Sequence, residues 1–244
     1  MFRSFTAIAL LLTLSMRGQE IEPALVASNW SIGLNVAPAL SYRQLKVLQE
    51  HQITPYIMDS RNEHEIPLIT GHASIMAGYA LGEKFAIEGG IGYSRLGWDR
   101  PLQDLLFGDQ IDPRRGFIYS TDDTAIPTKF RETFQYLDIP IKGMVSLGNR
   151  KLKWISSIGV SASILMRASH ISIYADDRKE YAHENFERFN LFPVISTGVA
   201  YRLNDRHEFR MEPTFRYGML KIIDSDITGY LWSAGLNFGW YRRF

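Results

Sequence analysis

A histidine and a serine two positions apart are the residues of this chain whose types and spacing could do chemistry. His170 and Ser172 fall on one face of an extended segment, and Glu184 follows them. A base that takes the proton of a serine hydroxyl, oriented by an acid, is the arrangement that activates a serine nucleophile. The three residue types are common, so solvated loop residues are the other interpretation. We expect no catalytic site here, with a hydrolase that uses these three residues as the alternative.

Composition argues against several other kinds of site. The 244 residues include no cysteine, which excludes disulfides, thiolate zinc sites, iron–sulfur clusters and a cysteine nucleophile. The formal net charge is +1, so composition gives no support for a surface that binds nucleic acid. The histidines and acidic pairs lack metal-ligand spacing, and Gly-rich phosphate loops are missing. We therefore expect no cofactor, no metal and no nucleic-acid partner.

Charged side chains recur on stretches that are otherwise apolar on alternate positions. The alternation places these charged residues on the polar face of the strands. We predict that six of them form one network, namely Glu88, Asp138, Lys142, Arg210, Glu212 and Arg216, and the same face also carries Glu208 and His72. With Glu208 counted, three cations face four anions, so the charges nearly cancel. Buried charges need partners, and an internal plug of paired charges is the interpretation that we favour. A proton or ion path through the same residues is the alternative.

The elements that position these residues are predicted to be β-strands. Apolar residues alternate with small or polar ones at a period of two through 30–37, 85–94 and 230–240, which is the pattern of strands. We predict eight strands, at 30–42, 66–81, 85–97, 130–146, 152–167, 189–203, 207–220 and 229–242.

The connections between these strands alternate in length. Short turns fall at 82–84, 148–150 and 204–206, and longer loops at 43–65, 98–129, 168–188 and 221–228. Short turns at one end and long polar loops at the other are typical of outer-membrane barrels. The sequence therefore predicts an all-β fold, an eight-stranded antiparallel up-and-down transmembrane β-barrel, with ten strands as the alternative.

Aromatic residues mark the two ends of the predicted lipid-facing band. Phe85 and Tyr93 lie eight residues apart on the apolar face, and so do Trp232 and Trp240. At ~3.3 Å per residue and a tilt of ~40°, eight residues rise roughly 20 Å, close to the ~25 Å apolar band of such barrels. The alternative is a β-sandwich with an aromatic core, in which rings would not gather at the strand ends. We predict that this face meets lipid.

The first 18 residues are predicted to be a secretory signal peptide. Arg3 supplies a positive start, and 5–14 is an apolar run of the right length, followed by small residues. The run is too short for a membrane-spanning helix, which needs roughly 20 apolar residues. We assign 1–18 to the signal peptide and 19–244 to an outer-membrane β-barrel domain. The long loops are expected outside the cell and both termini in the periplasm.

Three of the strands resemble the PorT-like outer-membrane β-barrel proteins of Bacteroidota. Tyr-Leu-Asp-Ile-Pro-Ile at 136–141 is similar to the "Y-L-x-I-P" strand of that family, 212–218 is similar to its penultimate strand, and 233–244 resembles its last strand. The resemblance implies an outer-membrane barrel. Because PorT itself belongs to the type IX protein secretion pathway, it also implies a role in secretion. It supplies no catalytic residues.

Two further sets of residues are expected to contact other proteins. The loop 98–129 is long and mixes aromatic residues with arginines, as contact surfaces do; its candidate partner-binding residues are Trp98, Phe107, Arg114, Arg115, Phe117 and Tyr119. The chain ends in aromatic residues that resemble the signal read by the barrel-assembly machinery, namely Phe238, Trp240 and Phe244. An ordered cap over the barrel mouth and a last strand that simply faces lipid are the respective alternatives.

Three functions remain open at this point. The first is a structural or accessory component of an outer-membrane protein complex, for secretion or assembly, that acts through its extracellular loops. The second is a lipid A hydrolase, since 170–172 is similar to the His-x-Ser pair of outer-membrane lipid A deacylases, although the surrounding residues do not match. The third is a small-solute channel. The expected partners are outer-membrane lipid and lipopolysaccharide, the barrel-assembly machinery and other outer-membrane proteins.

Overall fold

The alternating residues form long antiparallel strands. The computed structural model describes residues 29–105, 110–111, 118–119, 126–148, 151–174, 177–182 and 186–244, so the predicted signal peptide at 1–18 lies outside the described residues. The elements in chain order are β1 (Trp30–Val47), α1 (Thr54–His64), β2 (Ile66–Ala80), β3 (Phe85–Leu105), β4 (Gln110–Ile111), β5 (Ile118–Tyr119), β6 (Ile126–Leu147), β7 (Leu152–Tyr174), β8 (Asp177–Ala182), β9 (Phe189–Arg202), β10 (His207–Tyr217) and β11 (Ile227–Arg243).

Eight of these strands close into a ring. The order around the ring is β1, β2, β3, β6, β7, β9, β10 and β11, and β11 pairs with β1 to close it. Each strand is antiparallel to both neighbours. The short strand β8 pairs with β7 beyond the point where β9 ends, and β4 pairs with β5. The prediction of an eight-stranded up-and-down barrel is confirmed.

Three strands continue well past their predicted ends. The ladder between β3 and β6 continues to the pair Leu105–Ile126, and the ladder between β6 and β7 to the pair Thr128–Tyr174. Much of 98–129 and of 168–188 is therefore strand and not loop, which corrects the prediction. The helix α1 likewise occupies part of the predicted loop 43–65. Among the described residues, no helix is long and apolar enough to cross a membrane.

The two faces of the strands are as predicted. Outward side chains on the apolar positions are exposed, as at Ile158 (71%) and Trp240 (58%), whereas Phe192 (0%) and Glu88 (1%) point inward and are buried. Exposed aromatic residues lie near the short turns around the barrel, at Trp30, Tyr79, Phe85, Trp154, Tyr201, Phe209 and Trp240. We call this the short-turn end and the opposite end the long-loop end.

A buried tyrosine on the last strand fills the interior near the short-turn end. Tyr241 is fully buried, and its ring lies against Gly33, where an added Cβ would come within 2.4 Å of Tyr241 Cδ1. The guanidinium of Arg210 lies 3.6 Å from the centre of the ring. The Tyr241 hydroxyl donates a hydrogen bond to Glu88 Oε2 at 3.3 Å. The absence of a side chain at Gly33 is therefore what allows this ring to pack beside the charged interior.

Depth in the membrane determines the cost of a charge on the outer face. Ile158 lies four residues from Trp154, roughly 10 Å along the barrel axis, which places it near the middle of the ~25 Å band. Ile158→Arg should therefore destabilise the barrel by about 2–4 kcal/mol. The free energy of unfolding in urea, followed by tryptophan fluorescence in phospholipid vesicles, measures this cost.

Ile69→Arg is the matched control, because Ile69 also faces outward, with 80% of its surface exposed. It lies ten residues from Tyr79, roughly 25 Å along the axis and so at the edge of the band, where the cost falls to about 0–1 kcal/mol. Equal costs for the two variants would contradict the assigned band.

Candidate functional site

A shared carboxylate lies at the centre of the barrel interior. Arg210 Nη1 donates a hydrogen bond to Glu88 Oε1 at 2.5 Å, and Lys142 Nζ lies 3.1 Å from Glu88 Oε2. The same ammonium is 4.0 Å from Glu212 Oε1. Glu88 and Lys142 lie opposite each other on the neighbouring strands β3 and β6, whereas Arg210 and Glu212 reach them from β10 on the other side of the ring.

Other predicted interior charges are also paired. Arg216 Nη2 donates to Asp138 Oδ2 at 3.1 Å, and the hydroxyl of Ser163 donates to the other oxygen of Asp138 at 2.5 Å. Arg210 Nε donates to Glu208 Oε1 at 2.8 Å. The structure thus brings all six predicted lumen residues into the interior, each within 4.0 Å of an opposite charge. This arrangement fits a neutralised plug, which is the interpretation favoured from the sequence.

A small polar cavity lies among these charges. Its volume is about 60 Å³, and its lining includes His72, Asp138, Lys142 and Arg216. Since a water molecule takes up ~30 Å³, the cavity has room for about two of them. A cavity of this size hydrates the charges but does not by itself form a passage.

A layer of aromatic side chains closes the interior between the charges and the long-loop end. The ring centroids of Trp98 and Phe134 are 5.4 Å apart, and those of Tyr136 and Phe192 are 5.8 Å apart. All four rings are buried. Trp98, predicted as a loop residue that contacts a partner, instead lies on β3 with 6% of its surface exposed. The predicted placement in a loop is corrected, because β3 continues past Trp98 and its alternation turns the ring inward.

The helix α1 brings a carboxylate over the mouth of the barrel. Pro55 lies in the first turn of α1, where its missing N–H costs nothing, and the helix ends at His64. Glu65 follows, and its backbone N–H donates to Arg61 O at 3.0 Å. Glu65 Oε1 accepts a hydrogen bond from Arg61 Nε at 3.0 Å, four residues earlier. The end of the helix therefore fixes this carboxylate.

Two arginines from the barrel wall reach the same carboxylate. Arg43 on β1 approaches Glu65 Oε2 with Nε and Nη2, both at 2.5 Å. Arg100 on β3 donates from Nη2 to Glu65 Oε1 at 3.3 Å. With Arg61, three guanidinium groups share one carboxylate. We call Arg43, Arg61, Arg100 and Glu65 the arginine cluster.

A cleft of about 240 Å³ opens beside the arginine cluster. Its lining comprises Arg61, Glu65, Trp98, Arg100, Phe130, Glu132 and His170. His170 lies sixteen residues from Trp154 along β7, roughly 40 Å along the axis and so beyond the ~25 Å lipid-facing band. Its Nδ1 is hydrogen-bonded to the carboxylate of Glu132, and this bond raises the pKa of the His170 imidazole. The cleft thus combines a basic side, an imidazole–carboxylate pair and aromatic surface.

Within the described part of the chain, the residues considered for hydrolysis do not form a catalytic triad. The acid that contacts His170 is Glu132, and Glu184 lies outside the described residues. Ser172 is on the same face of β7 as His170, but 1% of its surface is exposed. In the described part of the chain, no group of three or more histidines or acidic residues could hold a metal ion.

The other predicted contact residues are placed only in part. Phe107, Arg114, Arg115 and Phe117 lie outside the described residues, and Tyr119 belongs to the short strand β5. The proposed assembly-signal residues lie at the C-terminal end of the chain. Phe238 and Trp240 are on the outer face of β11, and Phe244 is exposed and donates its backbone N–H to Trp30 O at 3.2 Å.

Sequence reasoning missed the arginine cluster and Glu132. The alternation that places Glu88 inward also places Arg100 inward, and the alternation that places Asp138 inward also places Glu132 there. The same alternation continues past the predicted ends of these two strands and would have placed both residues inside the barrel. The four-residue spacing of Arg61 and Glu65 is likewise a helical spacing that could have indicated α1.

Removing the shared carboxylate tests the charge network. Glu88→Gln leaves Arg210 and Lys142 with less compensation in a buried site, and breaking a buried ion pair costs about 3–5 kcal/mol. We expect the free energy of unfolding in urea to fall by that amount. Glu83→Gln, in the exposed turn just before β3, is the control and should change it by less than about 0.5 kcal/mol. An unchanged stability of Glu88→Gln would contradict the network's role.

Several solved outer-membrane proteins have folds similar to this chain. Neisserial surface protein A is 11% identical with a TM-score of 0.42, over 90% of this chain and 100% of its own. OprG from Pseudomonas aeruginosa is 10% identical with a TM-score of 0.45, over 88% and 96%. The outer membrane protease OmpT from Escherichia coli is 8% identical with a TM-score of 0.42, over 91% and 99%. No curated protein matches this chain.

The family assignment comes from the sequence itself. The family described as "Outer membrane protein beta-barrel domain" matches residues 26–224, which is most of the chain and includes nearly all of the ring of strands. A closed antiparallel ring with an apolar, aromatic-bordered outer face agrees with that match. The chain therefore belongs to the outer membrane protein beta-barrel domain family and is an outer-membrane β-barrel protein.

Proposed function

We propose that this protein is an accessory component of an outer-membrane protein complex and that it acts through its long-loop end. The observation that carries the proposal is the filled interior. Paired charges and an aromatic layer occupy the inside of the barrel among the described residues, which argues against a role as a solute channel. The function is therefore assigned to the surface of the protein and not to its lumen.

At the long-loop end, three strands extend far beyond the lipid-facing band. β3, β6 and β7 have 21, 22 and 23 residues, whereas β9 and β10 have 14 and 11. A tilted strand crosses a bilayer with about 9–11 residues. The three long strands therefore form a wall that extends beyond the band. A wall of hydrogen-bonded strands is a rigid support for a contact surface.

Ion pairs lie on the outward face of this wall. Lys129 Nζ lies 3.0 Å from Asp99 Oδ2, and Arg131 Nη2 donates to the same oxygen at 2.8 Å. The two cationic side chains are about one-third exposed, at 32% and 35%. Two cations against one carboxylate leave a positive charge on this side. Arginine is enriched at protein interfaces, which supports a contact role.

The proposed orientation places the long-loop end outside the cell and both termini in the periplasm. The support is the general layout of such barrels, in which short turns face the periplasm. The proposed place in secretion or barrel assembly, like that of PorT, is supported by the three resembling strands at 136–141, 212–218 and 233–244. Other outer-membrane proteins are the proposed partners, with lipopolysaccharide as the surrounding lipid and the barrel-assembly machinery at insertion.

The proposal includes no catalytic step. A serine nucleophile has to meet its substrate, and the surface of Ser172 is almost entirely buried. The pair formed by His170 and Glu132 is explained as a hydrogen-bonded part of the cleft wall. These observations favour a binding role over a lipid A hydrolase.

Replacing the connection between β3 and β6 tests the proposed contact surface. Leu105 pairs with Ile126, so a short Gly-Asn linker in place of 106–125 can close the hairpin without disturbing the ladder. We expect the variant to fold into the outer membrane and to lose association with the protein that co-purifies with the wild type in mild detergent. Heat-dependent migration on SDS gels reports folding, and co-purification from native membranes reports association.

A change at the opposite end provides the control. Replacing 82–84 with the same linker alters a short turn between β2 and β3 and should leave association intact. Association that survives the loss of 106–125, or a wild-type protein that purifies alone, would contradict the proposal.

A further inference from the structure

We propose that the cleft beside the arginine cluster is a binding site for an anionic sugar, that is, a single sugar ring with a phosphate or carboxylate group. Arg61 and Arg100 would bind the acidic group, and Trp98 and Phe130 would provide the apolar surface for the ring. This site is separate from the protein contacts of the proposed function and does not depend on them.

The charges of the cleft point to an anion. Arg43 contacts one oxygen of Glu65, Oε2, twice at 2.5 Å, and 1% of its side chain is exposed. Arg61 and Arg100 each give one further hydrogen bond to that carboxylate, while 27% of each side chain remains exposed. A guanidinium has five N–H donors. Within the described part of the chain, Arg61 and Arg100 therefore lie side by side as two half-buried cations that each give one hydrogen bond to Glu65.

The other acid of the cleft does not offset this excess. The carboxylate of Glu132 is hydrogen-bonded to His170. Among the described residues, Glu65 and Glu132 are the acids that line the cleft, together with Arg61, Arg100 and His170. Arg43 does not line the cleft, but it adds a third guanidinium on Glu65. Charge-assisted hydrogen bonds from guanidinium groups to phosphate or carboxylate are short and strong. A bound anion would therefore offset the excess positive charge of the arginine cluster.

Size and apolar surface identify what carries the anion. A volume of about 240 Å³ is many times the ~10–15 Å³ that one water molecule needs, so the cleft suits one monosaccharide better than an ion alone. Trp98 and Phe130 line this volume, and the guanidinium of Arg100 lies 5.9 Å from the centre of the Phe130 ring. Polar atoms of Glu132 and His170 can exchange hydrogen bonds with hydroxyl groups. An ion alone would make no apolar contact with Trp98 and Phe130, and a neutral sugar would add no charge opposite to the arginines.

Calorimetric titration of the full-length protein in detergent tests the site with three probes. We expect glucose 6-phosphate to bind saturably. Glucose and inorganic phosphate should each bind at least about tenfold more weakly than glucose 6-phosphate. Glucose that binds as well as glucose 6-phosphate would overturn the role of the arginines. Phosphate that binds as well would overturn the role of the ring, and no binding of glucose 6-phosphate would overturn the site.

Variants connect the binding to the named residues. Arg100→Gln and Arg61→Gln should each weaken glucose 6-phosphate binding by about tenfold or more. Arg188→Gln is the control, because Arg188 is an exposed arginine outside the cleft lining and should leave binding unchanged. Heat-dependent migration on SDS gels establishes that each variant is folded. Folded Arg100→Gln and Arg61→Gln proteins that both bind like the wild type would contradict the assignment.

The sugar can come from a membrane glycolipid or from a soluble acidic glycan. Adding detergent-dispersed lipid A during the titration distinguishes these sources. Competition with glucose 6-phosphate would support the proposal with a glycolipid headgroup as the occupant. Binding that lipid A leaves unchanged would support it with a soluble sugar as the occupant.

Discussion

The pairing of Glu88 with Arg210 and Lys142 is the interaction on which the rest of the structure depends. An eight-stranded barrel has an interior just wide enough for side chains, so charges inside it have little access to bulk water. Such charges are tolerated when each has an opposite charge and hydrogen bonds close by. Glu88 forms ion pairs with cations from two other strands. The ring of Tyr241 lies against the guanidinium of Arg210 and next to Gly33 of β1. The ion pairs that neutralise the lumen therefore form only when the strands close into the ring.

The barrel uses shared carboxylates in two different ways. Among the described residues, the ion pairs of the lumen join four acids to four cations: Glu88, Asp138, Glu208 and Glu212 to Lys142, Arg210, Arg216 and Arg243. At the mouth, one carboxylate is shared by three arginines, two of which are partly exposed. Balanced and buried charges stabilise the barrel, whereas unbalanced and accessible charges are suited to a ligand. This contrast is why we assign a structural role to the lumen and binding to the long-loop end.

The sequence was sufficient for the parts of the fold that repeat locally. Alternation at a period of two identified all eight ring strands, the lipid-facing side chains such as Ile158, and the inward charges such as Glu88. It failed where lipid no longer imposes an apolar face. Beyond the band both faces of β3 and β6 carry polar residues, so the strand ends were placed too early and Trp98 was assigned to a loop. The arginine cluster joins β1, α1 and β3, which the pairing of β1 and β3 with β2 brings together, and the alternation within one strand does not reveal such contacts.

We propose that the lumen is closed and that the protein acts through its surface. Recording ionic current from the purified wild-type protein in planar lipid bilayers tests this most directly. The paired charges and the layer of Trp98, Phe134, Tyr136 and Phe192 predict successful insertion with no steady unitary conductance. A stable conductance step that appears with each inserted molecule would contradict a closed lumen and would favour a channel.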